Sequence, residues 1–150
     1  MFGFLVLTPL KAAAVLATNS ILSKLYVTAR YRYVKANNLL GNPMYVLPDS
    51  SKLPELADGH TKQDPTWKRV RASQLNEAEW AALCLPLCLY FDLAGVEGAG
   101  PACSIMAWTQ VGYWVVRAAV GFPFHMPFAI TRYAGVAWAV KILVGRAFPQ

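Results

Sequence analysis

The residues best suited to chemistry lie where a basic segment runs into a long apolar one, between residues 67 and 80. A helix of about 3.6 residues per turn places one set of them on a single face: Arg69, Ala72, Asn76, Glu79 and Leu83. A carboxylate and an amide entering hydrocarbon are costly unless they face a bundle interior or a water-filled cavity, so this face predicts a buried polar site. The alternative is that Asn76 and Glu79 hold helices together and that the basic residues are interface anchors.

Composition points to a membrane protein of one domain, residues 1–150. Of 150 residues, 56% are hydrophobic and 15% charged, whereas ordinary soluble domains are about 45–50% apolar and about 25% charged. The net charge of +6 is concentrated in residues 30–35 and 62–71 and does not alternate with exposed aromatic residues. This pattern excludes a nucleic-acid partner and favours a membrane-flanking loop under the positive-inside rule.

The apolar runs define the expected architecture. They lie at about residues 10–34, 75–94, 102–121 and 128–144, and each is close to the ~20 residues that cross ~30 Å of hydrocarbon. The polar segment at about 35–74 is rich in proline and turn residues, so it predicts a loop and not a second domain. The predicted fold is therefore an all-α integral membrane protein, a four-transmembrane-helix bundle with several passes through the bilayer.

Cysteine and histidine residues predict no metal centre. Cys84, Cys88 and Cys103 lie in apolar surroundings, and no histidine completes a ligand set, so we expect small buried side chains. His60 lies among turn residues and is expected to be solvated. His125 is expected to cap a helix end, with a proton donor in a wet pocket as the alternative.

The same polar stripe carries a resemblance to a known family. Its residues are Arg69-Val70-Arg71, Leu75-Asn76 and Glu79, followed by an apolar helix. This pattern resembles the MAPEG family (membrane-associated proteins in eicosanoid and glutathione metabolism), with the microsomal glutathione transferases as the closest branch. The similarity extends to further short segments: Ala17-Thr18, Ile21-Leu22-Ser23-Lys24, Asn42-Pro43, Pro123 and Pro127.

The resemblance implies a MAPEG-like four-helix bundle in each subunit, assembled as a trimer with glutathione between adjacent subunits. The glutathione-binding residues that it implies are Arg69, Arg71, Gln74, Asn76 and Glu79. Their chemistry is suitable, because glutathione carries carboxylates that arginine binds and an ammonium that a carboxylate accepts. The implied reaction is attack of the glutathione thiolate on a lipophilic electrophile or hydroperoxide supplied by the bilayer.

Several positions depart from the family pattern. Relatives carry an arginine where this chain has Ala72, and an arginine just after the proline turn where it has Ala129. An ungapped match also places Val115 and Val120 at tyrosine positions of relatives, and Tyr113 at an arginine position. Arg117 and Arg132 are the nearest candidates to replace the missing arginines. No catalytic residue is assigned from the sequence.

Two functions follow. The first is a glutathione transferase or peroxidase, with glutathione as substrate and no metal. The second is a catalytically degenerate MAPEG-like accessory subunit, which the substituted positions favour. The expected partners are the lipid bilayer and either two further copies of the chain or the subunits of a larger membrane complex. The expected location is the endoplasmic reticulum or another organelle membrane, mitochondrial or plastid.

Overall fold

The computed structural model describes residues 6–37, 65–121 and 123–148 of the chain. These residues form helices only: α1 (Pro9–Ala36), α2 (Pro65–Leu93), α3 (Gly100–Ala119) and α4 (Met126–Ala147). The prediction of an all-helical fold with four helices is confirmed for the described residues. Most of the predicted polar loop, including Asn42-Pro43 and His60, lies outside them.

Helix starts follow the local sequence. Thr8 caps α1, since its Oγ1 accepts a hydrogen bond from the backbone N–H of Lys11 at 3.3 Å, and Pro9 fills the first turn. Proline also begins α2, at Pro65, ten residues before the apolar span expected from residue 75. The first part of α2 is therefore a helical extension of that span, and it carries Arg69, Arg71 and Gln74. The helix continues through Pro86.

One face of α2 is buried along the whole helix. Its members recur every three or four residues: Val70, Ser73, Glu77, Ala81, Cys84, Cys88 and Phe91. This spacing is that of a helix packed in a bundle. The C-terminal half of this face packs in the apolar core together with Leu16 of α1 and Met106 of α3. All three cysteines are buried and free, which confirms that they are small core residues.

Close packing joins α3 to α4 at two glycines. Gly112 faces the ring of Phe128 so closely that a Cβ atom there would overlap the ring. A Cβ atom on Gly135 would lie 2.8 Å from Ile105 Cγ2 and 3.1 Å from Met106 Cγ. Such small residues let two helix backbones approach more closely than larger side chains allow.

α1 and α4 are long and apolar enough to cross a membrane by length and composition. Only 28% of the apolar window of α1 and 17% of that of α4 is buried, whereas the core helix of a soluble protein would be largely covered. Large apolar side chains point outward from both helices: Leu10, Ile21, Leu22, Leu25, Ile130, Val140 and Val144. Among the described residues, α2 and α3 do not meet the same criterion.

Candidate functional site

Arg132 of α4 enters the interior of the bundle, where only 2% of its surface is exposed. Its Nη1 donates hydrogen bonds to Asn76 Oδ1 of α2 at 2.9 Å and to Gln110 Oε1 of α3 at 2.7 Å. Side chains of three helices therefore meet at one guanidinium group. Arg132, Asn76 and Gln110 are called the arginine cluster below.

The charge of Arg132 is met by neutral groups alone. Both hydrogen-bond acceptors are amides, and among the described residues no carboxylate pairs with it. Aromatic rings replace the missing counter-charge: the guanidinium carbon lies 3.9 Å from the ring centre of Trp80, 4.2 Å from that of Tyr113 and 5.9 Å from that of Tyr133. Ring faces attract a cation, more strongly when water is excluded. An uncompensated positive charge remains inside the bundle.

Hydrogen-bond donors of the arginine cluster outnumber its acceptors. Arg132 Nε and Gln110 Nε2 are both buried, and neither has an acceptor in the part of the chain that the structure describes. A buried donor without a partner costs about 1–3 kcal/mol, more when the group is charged. The donor set thus suits an anionic acceptor such as a carboxylate or a thiolate.

Tyr113 joins the arginine cluster to the connection between α3 and α4. Its hydroxyl accepts a hydrogen bond from Arg117 Nη1, while its ring faces Arg132. The edge of the His125 ring meets it at a centroid distance of 5.2 Å. His125 Nδ1 lies 3.0 Å from the carbonyl oxygen of Gly121, and its side chain makes no capping bond to α4. Arg117 and Arg132, the expected replacements for the arginines of the MAPEG pattern, therefore both contact Tyr113.

Arg69 lies at the same end of the molecule. The side chain is half-buried, and its Cδ is 3.1 Å from the position that a Cβ atom on Gly121 would take. Arg69 Nη2 contacts Thr66 Oγ1 at 3.4 Å, whereas Arg69 Nε is buried without an acceptor. Arginines from α2, α3 and α4 are thus grouped at the end where α3 connects to α4.

A second buried ionisable group is the carboxyl group of Glu77, one residue after Asn76. None of its surface is exposed. Asn19 Nδ2 donates to its Oε1 at 3.5 Å, and Ser23 Oγ lies 3.0 Å from its Oε2. Among the described residues, no cation pairs with this carboxyl group. Glu77, Asn19 and Ser23 are called the glutamate cluster, which joins α2 to α1.

The predicted glutathione-binding residues occupy different environments. Arg71 and Glu79 are exposed on the outer surface of the chain, and Gln74 is half-buried. Asn76 is half-buried and is the member of the predicted set that bonds to Arg132. The expected burial of the stripe is therefore wrong for Glu79 within a single chain, because its face is turned away from α1 and α3. Whether these residues bind glutathione stays a prediction.

Sequence reasoning missed Gln110 and Glu77. The signal for Glu77 was present, because the buried apolar and small residues of α2 recur at three- and four-residue spacing and Glu77 falls in that series. No comparable signal marked Gln110 or the role of Arg132, since each is a single polar residue whose partners lie on other helices.

A scan against protein-family models finds no match to this chain, and searches of curated proteins and of solved structures find none either.

Proposed function

We propose that this chain is a multi-pass membrane protein that binds glutathione and uses its thiolate against lipophilic electrophiles or hydroperoxides. The observation that carries the proposal is the buried guanidinium of Arg132, which bonds to neutral amides and has no carboxylate partner within residues 6–37, 65–121 and 123–148. Asn76 belongs both to this cluster and to the stripe that resembles the MAPEG signature.

The electrostatics support thiolate chemistry. A fixed positive charge near a sulfur atom favours the thiolate over the thiol, and the thiolate is the nucleophile. Arginine provides such a charge at every physiological pH. Arg69 and Arg117 add positive charge at the same end of the bundle, where the carboxylates of glutathione would be attracted.

The outer surface supports a lipophilic second substrate. Exposed apolar side chains on α1 and α4 suit contact with lipid, and such contact would allow a membrane-dissolved electrophile to approach the bundle laterally. Arg71 and Glu79 are exposed, so a bound tripeptide or a neighbouring subunit has access to them.

An accessory role in a larger complex is the second candidate. The burial of Arg132 favours this role, because the ring faces of Trp80 and Tyr113 enclose the guanidinium and leave only 2% of the residue exposed to a ligand. In that role the arginine cluster would hold α2, α3 and α4 together, and the exposed stripe of α2 would contact a partner subunit.

The deciding experiment is glutathione binding to the folded, detergent-solubilised protein by titration calorimetry. Arg132→Met removes the charge while keeping an unbranched apolar side chain, and Glu79→Gln tests the outer stripe. Arg146→Met and Glu97→Gln are matched controls, because Arg146 and Glu97 are exposed at the opposite end of the bundle.

We expect binding by the wild type, its loss in Arg132→Met and Glu79→Gln, and no change in the controls. A thiolate absorbance band that appears when glutathione is added to the wild type would show activation of the sulfur in addition to binding. Folded wild-type protein that binds no glutathione would overturn the proposal and favour the accessory role. Release of the chain from membranes by alkaline carbonate would overturn its membrane insertion.

A further inference from the structure

The final turns of α1 carry a strong positive charge at the surface. Lys24, Arg32 and Lys35 are exposed, and α1 contains no aspartate or glutamate from Pro9 to Ala36. A surface with charges of one sign attracts anions, and this attraction extends over about 8–10 Å at physiological ionic strength.

Tyrosines alternate with these cations. Tyr26, Tyr31 and Tyr33 are 44%, 41% and 51% exposed. Two of them are held in place by tryptophans, because the ring of Tyr31 lies 5.8 Å from that of Trp67 and the ring of Tyr26 lies 5.8 Å from that of Trp114. Aromatic rings with a polar edge concentrate at the level of lipid headgroups. The six residues Lys24, Tyr26, Tyr31, Arg32, Tyr33 and Lys35 are called the basic–aromatic end of α1.

Helical geometry aligns part of this set. Tyr31 and Lys35 follow Lys24 by about two and three turns, so all three lie along one side of α1. The exposed apolar side chain of Ile21 lies about one turn before Lys24, and that of Leu22 lies about one turn before Tyr26, on the other side of the helix. On both sides, the helix surface therefore changes from aliphatic to basic or aromatic along its length, which is the order that a lipid presents from acyl chain to phosphate.

We propose that the basic–aromatic end of α1 binds the headgroup of an anionic phospholipid. Lys24 and Lys35 are about 16 Å apart along the helix axis, so Lys35 would contact phosphate oxygens directly, and Lys24 would extend its side chain towards them. The exposed tyrosine rings would lie at the ester level of the bilayer. The apolar surface beside the charges favours a lipid over a soluble polyanion, which would leave that surface in water. The inference depends on the membrane insertion included in the proposed function and is independent of glutathione.

The test uses the full chain purified in dodecyl maltoside. Dioleoylphosphatidylglycerol, or dioleoylphosphatidylcholine as the zwitterionic comparison, is titrated in the same detergent, and bound lipid is counted by native mass spectrometry. The variant Lys24→Gln/Lys35→Gln removes exposed charges without touching the core. Lys141→Gln is the control, because Lys141 is exposed near the opposite end of the bundle.

We expect the anionic lipid to bind more tightly than the zwitterionic one and to be weakened by added salt. The double variant should lose affinity for phosphatidylglycerol on the order of tenfold, as expected of two cations close to a membrane surface, while Lys141→Gln should not. Equal binding of the two lipids by the wild type, or an equal loss in Lys141→Gln, would overturn the inference. Glutathione binding is measured on the same samples, so that a failure of the proposed function is distinguished from a failure of lipid binding.

Discussion

The arginine cluster and the glutamate cluster bury two ionisable groups, a guanidinium and a carboxyl group, against neighbouring residues of α2. Asn76 faces Arg132 and Gln110, while Glu77, turned by about 100° around the helix, faces Asn19 and Ser23. In both clusters the ionisable group is surrounded by neutral partners. The difference is in the hydrogen bonds: both oxygens of Glu77 have a partner, whereas Arg132 Nε and Gln110 Nε2 have none among the described residues.

The polar groups of the glutamate cluster satisfy one another, whereas those of the arginine cluster do not. The glutamate cluster satisfies its acceptors within α1 and α2, so its simplest role is to fix the register of these helices. The arginine cluster keeps unused donors and an uncompensated cation, which are the properties of a binding site for an anion. Mutations in each cluster test this difference in hydrogen bonding.

The largest effect is expected from removing both acceptors of Arg132. Asn76→Leu/Gln110→Leu leaves the buried guanidinium with ring faces alone, and stranding a buried charge in this way costs about 3–5 kcal/mol. Unfolding in detergent by heat or denaturant would measure it. Destabilisation below about 1 kcal/mol would mean that water or lipid headgroups reach Arg132 and that the charge is not buried.

A smaller loss is expected in the glutamate cluster. Ser23→Ala removes the partner of Glu77 Oε2, and leaving one buried oxygen unpaired costs about 1–3 kcal/mol. The same unfolding measurement applies, with Thr28→Ala as control, because the Thr28 hydroxyl bonds only to the backbone of its own helix and is exposed. If Ser23→Ala and Thr28→Ala have equal stability, the contact between α1 and α2 does not depend on this hydroxyl.

The smallest effect on stability is expected from Arg132→Met. Arg132→Met leaves the amide oxygens of Asn76 and Gln110 without their donor, which destabilises the bundle, but it also removes a buried charge, which stabilises it. Because these two effects oppose each other, we expect a net change within about 1 kcal/mol. Thermal unfolding of the variant, compared with Asn76→Leu/Gln110→Leu, checks this contrast. A large loss on removing Arg132 itself would show that the cation stabilises the bundle and would count against a site kept for ligand binding.

Much of the fold could be predicted from the sequence because apolar runs and proline-led helix starts are local signals. The starts at Pro9 and near Pro127 agree with the expected spans within about two residues, which is the usual uncertainty of helix ends. The start of α2 at Pro65 could not be taken from hydropathy, since its first turns are polar. There the helix is shown by the buried positions Trp67, Val70 and Ser73 and not by apolar content.

The site was predictable only in part, for a geometric reason. The stripe through Asn76 and Glu79 was placed correctly on a helix, but a sequence does not state how far that helix is rotated in the bundle. Glu79 and Glu77 are two residues apart, which is about 200° of rotation, so a misjudged rotation of the helix exchanges one for the other as the buried acid. Arg132 was considered only as a replacement for a missing arginine, because its partners are 22 and 56 residues away in the chain.

The glycines between α3 and α4 also affect the geometry of the arginine cluster. Gly112 lies within one turn of Gln110, and Gly135 within one turn of Arg132, so both glycines flank the 2.7 Å hydrogen bond between these residues. A methyl group at either position would displace a side chain of the facing helix beside that bond, Phe128 at Gly112 and Ile105 at Gly135, before any polar residue had changed. Two residues that carry no charge and no side chain therefore limit how far the geometry of the arginine cluster can change.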